Sequence, residues 1–448
     1  MKGRSDTIAA LATPLGVGAL AIIRVSGKSV FSLIGKILIK TSLIHRKATL
    51  TKIVSFDKQS LLDECLVVYF KGPDSFTGED VLEISCHGGR FVPRSILNEV
   101  LLHNIRIADP GEFSYRAFLN GKIDLVQAEA ISSLISSKTN LSASVELSDL
   151  SGRLSKFILG LRNKILNILS LVEHEIDFIE EGFDLLKKRS VMANLGEISS
   201  DISNLLQTSS YGCKLKTGFR VVLLGKPNSG KSTVFNHLVG HDRAIVSNVP
   251  GTTLDTIEAW FDLDGYPVCL VDTAGFWEGR GSVESLGIER TKREAINADI
   301  ILFVDENSPT SAIKQGYQQF NFNKSIIFIK SKEDLNPSKT IEEHIVYTSS
   351  NISMGFNDLY TSISTSLTSI VRSVPDNDLI LTSDRQKVLI SLIKKTLDGL
   401  IDQHEKNRTM DMLSSDLKDI ANMFGEITGE ITTEETLNNI FSNFCVGK

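Results

Sequence analysis

Gly225-Lys-Pro-Asn-Ser-Gly-Lys-Ser232 is the stretch on which the reading of this chain turns. The apolar run Phe219–Leu224 precedes it and Thr233–Leu238 follows, so the order is strand, glycine-bounded loop, helix. A GxxxxGK[ST] sequence in that setting is a phosphate loop, whose successive amide N–H groups face a phosphate chain. Gly225 and Gly230 permit the tight turns. Lys231 is suited to reach the β- and γ-phosphates, and the Ser232 hydroxyl to ligate magnesium. Three further signals follow in order. Gly251-Thr-Thr-Leu-Asp255 lies in a loop, Asp272-Thr-Ala-Gly275 ends the β-run Val268–Val271, and Ser331-Lys-Glu-Asp334 follows the β-run Ser325–Lys330. Together they predict a nucleotide-hydrolysing P-loop domain.

A chain of 448 residues has room for about two to four domains, each with its own core. Charge is 48 basic against 54 acidic, a net of −6, which is no polyanion-binding signature. Residues 1–120 carry 15 basic and 11 acidic side chains, +4, an excess within ordinary surface variation. The cysteines (Cys65, Cys86, Cys213, Cys269, Cys445) are scattered and form no CxxC pair, so neither a zinc site nor a disulfide framework is indicated. That usage fits a reducing, cytoplasmic setting. Asp6, Pro14, Gly16 and Gly18 interrupt Met1–Arg24, which reads as a strand with a glycine turn rather than a signal peptide. No run of about eighteen apolar residues occurs, so no membrane span is expected.

Proline divides the chain. Four prolines fall between Pro14 and Pro110 and six between Pro227 and Pro375, leaving 111–226 and 376–448 without any. Proline is expelled from helix interiors, so both blocks are expected to be helical. Residues 1–120 read as α+β, with strands at Ala19–Val25, Cys65–Phe70 and Val81–Cys86 and a helix at Phe91–Leu102. In the first block Leu150, Leu154, Ile158, Leu161, Ile165, Ile168 and Val172 form one apolar stripe at spacings of three and four. The second carries Leu389, Ile393, Leu397, Leu400 and Ile401 on one face, then Leu413, Leu417 and Ile420. Helical blocks flanking a P-loop domain suggest one bundle interrupted by an inserted GTPase. The expected division is 1–120, 121–213, 214–377 and 378–448, a multidomain α/β and all-α chain.

Asp272 ends a strand and precedes Gly275, the arrangement that holds magnesium through water and senses a γ-phosphate. Thr253 offers the metal a second hydroxyl. At the base, the usual Asn-Lys-x-Asp appears as Ser331-Lys332-Glu333-Asp334. Asp334 can accept from the N1–H and N2 amine of guanine, which adenine cannot supply, so GTP is expected over ATP. Lys332 packs its stem along the base. Serine at 331 keeps a polar group but loses the reach of asparagine. Thr348-Ser349-Ser350 fits the loop that closes over the base. The expected nucleotide contacts are Asn228, Ser229, Gly230, Lys231, Ser232, Thr233, Ser247, Thr252, Thr253, Asp272, Gly275, Ser331, Lys332, Asp334 and Ser349. Magnesium is assigned to Ser232 and Thr253. Leu254 stands where a cis arginine finger would, so another group must offset charge on the transferring phosphate. The Asn228 side-chain carbonyl suits a monovalent cation, and with Ser247, Val249 and Thr252 it makes the expected potassium set.

The chain resembles the MnmE (TrmE) family of tRNA uridine-5-carboxymethylaminomethyl modification GTPases nearly end to end. The resemblance is carried by Ala12-Thr-Pro14 through Arg24-Val-Ser-Gly27, Phe76-Thr-Gly-Glu-Asp-Val-Leu-Glu83 with His87-Gly-Gly89, and Pro110-Gly-Glu-Phe-Ser114 with Arg116-Ala-Phe-Leu-Asn-Gly-Lys122. Gln127-Ala-Glu-Ala130, Gly425-Glu-Ile-Thr-Gly429 and the terminal Phe444-Cys-Val-Gly-Lys448 complete it. It implies a homodimer built through a folate-binding-like N-terminal domain, and an FAD-dependent partner flavoprotein, MnmG (GidA), in a heterotetramer-type complex. It implies installation of an aminomethyl or carboxymethylaminomethyl group at C5 of the wobble uridine of certain tRNAs, with carbon from a reduced folate. By motif match, Arg24, Glu83, Lys122 and Lys448 are the folate-contacting positions, with Arg24 or Lys122 pairing folate carboxylates. Cys445 would sit near that pocket, and Glu284 matches a water-orienting glutamate. Leu254 and Trp277, where arginine is common, and Ser331 depart from the family pattern.

Two other readings share the central domain. A ribosome-assembly GTPase of the Era or Der type would need a KH module or a second phosphate loop, and the sequence has neither. A regulatory switch without modification chemistry would lack a folate pocket in the first domain.

Overall fold

The computed structural model describes residues 6–14, 16–57, 59–177, 185–241, 257–272, 291–316, 324–338, 341–349, 354–371, 379–403 and 410–447. They form two compact units: Met1–Ser132 with Asp149–Glu181 and Thr409–Lys448, and Ser133–Ser148 with Gly182–Arg408.

In the first unit the alternating stretches become β1 (Ile8–Leu11), β2 (Leu20–Ser26), β3 (Thr49–Val54), β4 (Leu61–Phe70), β5 (Val81–His87) and β6 (Arg106–Ile107), with helices α1 (Val30–Ile37) and α2 (Val92–Leu101). The sheet order is β3-β4-β5-β2-β1-β6, antiparallel except for the β1–β6 pair. Period-two alternation sends Ile23, Val25, Val67, Leu82 and Ile84 to one face, where they pack with Val30, Leu33 and Ile37 of α1 and with Ile96 and Val100 of α2. The other face presents Arg24 opposite Glu83 on β2 and β5, and Leu50 opposite Leu66 on β3 and β4.

Next come α3 (Glu112–Leu119), α4 (Leu125–Ser136), α5 (Asn140–Leu150) and α6 (Arg153–Asp177). The unit boundary falls within α4 and α5. The stripe expected to run unbroken from Leu150 is interrupted at Gly152, whose φ of +82° ends one helix before the next begins. Gln127 explains the break. At the start of α4 its Oε1 accepts from the Asp124 backbone N–H and its own backbone N–H donates to Asp124 Oδ1, while its Nε2 donates to the last carbonyl of α5, Leu150 O, at 2.9 Å. Beyond the break, Leu154, Ile158, Leu161, Ile165, Ile168 and Val172 are all buried. They pack along α12 (Met410–Thr428), which buries Leu413, Leu417, Ile420 and Phe424. Tyr115 and Leu125 close a smaller core with Leu437, Phe441 and Phe444, from α13 (Glu434–Phe441) and the turn after it.

A buried ion network ties α3 to the sheet. Arg116 bonds Glu112 and Asp6, each at 2.9 Å, and Glu79 at 3.1 Å; Arg106 bonds Glu112 at 2.7 Å and Asp6 at 2.9 Å. The side chains of Arg116 and Glu112 are each only 6% exposed, so neither charge is tolerable without the other.

The second unit contains α7 (Leu185–Thr217), β7 (Phe219–Leu224), α8 (Lys231–His241), β8 (Ile257–Leu263), β9 (Tyr266–Asp272), β10 (Ile300–Asp305), α9 (Pro309–Gly316), β11 (Ser325–Lys330), β12 (Ile345–Tyr347), α10 (Phe356–Val371) and α11 (Asp384–Gln403). Its sheet runs β12-β11-β10-β7-β9-β8 and is parallel but for the β8–β9 hairpin. Parallel strands covered on both faces need continuous apolar runs, and β10 (IILFVD) is buried at every position. In α11 the fully buried face is Ile390, Ile393, Leu397 and Leu400. Ile393, Leu397 and Leu400 are thus buried as expected, while the expected Leu389 and Ile401 flank the seam, half-buried, and Ile390 takes the place of Leu389 at its start. Among the described residues no helix is long and apolar enough to cross a membrane.

Burial pushes the Glu112 carboxyl up, but hydrogen bonds from Arg106, the Asp109 amide and Arg116 outweigh it and hold the group below its ordinary range; Asp6 is lowered by the same two arginines. A depressed carboxylate stabilises above its unfolded pKa and loses that contribution as pH falls through its folded pKa. Urea denaturation should therefore show stability falling as pH drops below about 4. Glu112→Gln should cost about 3–5 kcal/mol at pH 7 by stranding two arginines, and should flatten the acid limb of the profile.

Candidate functional site

At the C-terminal ends of the parallel strands, connections leave β7 toward β8 and β9 on one side, while β10, β11 and β12 lie on the other. The crevice where strand order reverses is where open α/β sheets bind ligands. The phosphate loop leaves β7 at this point. Gly225 has φ +150°, and a Cβ there would lie 2.2 Å from the Val304 carbonyl oxygen, so only glycine can make the crossing. Asn228 takes φ +61° and Gly230 φ +93° before α8 begins at Lys231.

Lys231 is 3% exposed, and its Nζ donates to the carbonyls of Gly225 at 2.9 Å and Lys226 at 2.7 Å. Burial pushes its pKa down, and the charge of Asp272 pulls it back up. Asp272 closes β9 in register with Leu223, one residue before the end of β7, which sets its carboxylate beside the loop. Ser232 and Thr233 are exposed at the start of α8. The Ser229 hydroxyl is buried inside the loop with no hydrogen-bond partner among the described residues. A buried hydroxyl, an ammonium bound to loop carbonyls and an available serine hydroxyl fit a phosphate chain, and with Asp272 they fit an oxygen-seeking divalent cation.

The opposite wall is built from the loop after β11. Ser331, expected to fall short of an asparagine's reach, contacts the phosphate loop directly: its Oγ donates to Ser229 O at 2.6 Å. Two features allow this. The Ser331 amide is held by Asp305 O at 3.0 Å, and Gly230 has no side chain where a Cβ would meet Ser331 at 3.1 Å. Ser349 Oγ donates to Asp334 Oδ1 at 2.6 Å, and the Glu333 amide donates to Thr348 O, so the two base-side loops are joined. Lys332, at φ +55°, pairs with Glu306 at 2.6 Å. Asn228 is exposed, as a cation ligand must be. Ser247, Val249, Thr252, Thr253, Leu254, Gly275, Trp277 and Glu284 lie outside the described residues, as does Lys448.

A second cluster lies in the first unit. Arg24 bonds Glu83 Oε1 through Nη2 at 2.8 Å and Nε at 2.9 Å, and its Nη1 donates to Gly447 O at 3.3 Å. Its guanidinium also sits 5.7 Å from the ring centres of Phe76 and Phe113. The Cys445 carbonyl accepts from the Gly111 amide, and the Cys445 side chain is exposed. Arg24, Glu83 and the chain terminus are thus together, whereas Lys122 is exposed and, among the described residues, forms no ion pair or hydrogen bond with the pair. The two rings under Arg24 escaped the sequence reading. Phe76 and Phe113 each stand in one of the quoted motifs, but nothing local marks an aromatic ring as the seat of a distant arginine.

The glycine crossing, the buried lysine and the strand-end carboxylate, set at the reversal point of a parallel sheet, make this a P-loop nucleotide-binding protein. The family described as the MnmE helical domain matches residues 125–445, and that described as the GTP-binding protein TrmE N-terminus matches residues 7–122. The tRNA modification GTPase MnmE of Aquifex aeolicus is 38% identical, over 99% of this chain and 100% of its own. That of Clostridioides difficile is 36% identical, over 99% of each. The G domain of the T. maritima FeoB iron transporter is similar at 25% identity over 33% of this chain and 98% of its own, with a TM-score of 0.27, too low to carry weight. The chain belongs to the MnmE family of tRNA modification GTPases, and it is a GTP-binding GTPase.

Removing the Ser331 hydroxyl strands the Ser229 carbonyl, at a cost of about 1–3 kcal/mol. Ser331→Ala should accordingly weaken GTP and GDP alike by about tenfold, read by equilibrium titration with a fluorescent analogue.

Proposed function

We propose that this chain couples GTP hydrolysis to modification of tRNA, acting with the FAD-dependent flavoprotein MnmG to place an aminomethyl or carboxymethylaminomethyl group at C5 of the wobble uridine, with carbon from a reduced folate. The observation that carries the reading is the match to MnmE relatives over 99% of the chain. The proposed division is an N-terminal domain (1–120), a helical domain in two parts (121–213 and 378–448) and an inserted GTPase domain (214–377). Pairing of two copies through the N-terminal domain is supported by Leu50 and Leu66, which face each other on adjacent strands while 61% and 43% exposed.

On the nucleotide, Lys231 would exchange its loop carbonyls for β- and γ-phosphate oxygens, and Ser232, Thr253 and Asp272 would serve magnesium, which supplies charge neutralisation when bound. Asp334, oriented by the hydrogen bond from Ser349, would read guanine. Asn228 with Ser247, Val249 and Thr252 would hold potassium, and Glu284 would orient water. On the folate, Glu83 would accept from the pterin amine, with Arg24 holding Glu83 and the chain terminus in place. Lys122, Lys448 and Cys445 border the same region in this reading.

Asp334→Asn should weaken GTP and improve xanthosine triphosphate binding, because the amide supplies the donor that xanthine's second carbonyl needs; unchanged selectivity would remove Asp334 from the base pocket. GTP turnover should be faster in potassium than in sodium at equal ionic strength and should fall by about 10²–10⁴ in Glu284→Ala. Mass spectrometry of wobble uridines in cells lacking the gene tests the whole assignment, and unmodified levels matching wild type would overturn it.

A further inference from the structure

The first unit contains a cavity of about 740 Å³, within the about 300–1,000 Å³ of small-molecule sites. Its walls include Ala10 and Leu11 of β1, Ile107 of β6, Arg90 and Arg94 at the start of α2, and Val446 of the chain terminus. Successive strand residues point to opposite faces, so a cavity that touches both Ala10 and Leu11 wraps around the edge of β1. That edge is open because β6 pairs only as far as Ile107, opposite Ala9.

Two of these wall residues lead directly to the Arg24–Glu83 pair. Ala10 is the register partner of Arg24. Val446 precedes Gly447, whose carbonyl accepts from Arg24, and consecutive Cα atoms are about 3.8 Å apart. A ligand seated at Glu83 therefore has the cavity within one or two residues' distance.

Charge decides what the cavity suits. Arg24, expected from the sequence to pair a ligand carboxylate, already holds Glu83 at 2.8 Å with both Nε and Nη2 engaged. The side chains of Arg90 and Arg94 make no ion pair or hydrogen bond among the described residues. Two free guanidinium forks beside Leu11, Ile107 and Val446 suit an apolar ring followed by carboxylates.

We propose that this cavity is the subsite for the carboxylate-bearing tail of a reduced folate, with Arg90 and Arg94 reading the carboxylates of γ-linked glutamates. The proposal rests on the folate reading above and assigns to these two arginines the role that Arg24 is not free to take. A tail lengthened by γ-linked glutamate adds one carboxylate per unit, so affinity should rise with tail length and the rise should depend on the arginines.

The test is calorimetry on the full chain with 5-formyl-tetrahydrofolate and its tri-γ-glutamate, for wild type and Arg90→Gln/Arg94→Gln, with the melting midpoint checking that the variant folds. Wild type should bind the triglutamate about tenfold more tightly, and the double variant should keep less than about a twofold preference. Arg94→Lys, which keeps the charge but loses the planar fork, should fall between them. Equal wild-type affinity for the two ligands, or a preference that survives in the double variant, overturns the subsite. If neither ligand binds wild type, the folate reading itself fails and the subsite fails with it.

Discussion

The second unit is built around one close approach. At Gly225 the chain leaves the sheet over the end of β10, where a Cβ would stand 2.2 Å from the Val304 carbonyl oxygen. A side chain would push the loop away from β10 and lift Lys231 from its buried position. Because the loop stays down, the Ser229 carbonyl comes within 2.6 Å of Ser331 Oγ, and phosphate-side and base-side loops become one rigid wall. The closely packed strands beneath, β10 buried at every position above all, supply the unyielding floor that this geometry requires.

The first unit solves a different problem. Its sheet is covered by α1 and α2 on one face, and α3 is joined to it by charge as well as by apolar contact. Arg106, Arg116, Asp6, Glu79 and Glu112 satisfy one another in a partly buried cluster, an arrangement that fixes geometry because any displacement leaves a charge unpaired. Gly111 opens α3 at φ +68°, where a Cβ would lie 2.3 Å from Phe441 O, and its amide meets the Cys445 carbonyl. The network therefore also holds the chain terminus against β1. Several residues of the Phe76–Glu83 and Pro110–Lys122 motifs, Glu79, Glu112 and Arg116 among them, build this support and do not face the cavity.

The Arg24–Glu83 pair shows why a motif match and a binding role are separate statements. The two side chains are in register on adjacent strands and neutralise each other in the structure. Each is thereby oriented, with the arginine seated over Phe76 and Phe113 and the glutamate left with one oxygen for another donor.

The amino-acid sequence by itself determined what depends on neighbours a few positions away. Glycine spacing set the turns of the phosphate loop, apolar runs set β7 and β11 to the residue, and proline exclusion marked the helical blocks, because sterics and period act within a turn or a strand. Gly152 carries a local signal of the same kind, a glycine whose left-handed φ ends the helix inside an otherwise continuous stripe. The tertiary structure alone decided which polar groups are already engaged. Ser331 meets Ser229 across 102 positions and Arg24 meets Gly447 across 423, so no periodicity could reveal that a serine reaches far enough or that an arginine is held by a glutamate. The same holds for the start of the α11 seam, where Ile390 rather than its neighbour Leu389 is buried, since the choice among adjacent apolar positions belongs to the surface the helix packs on.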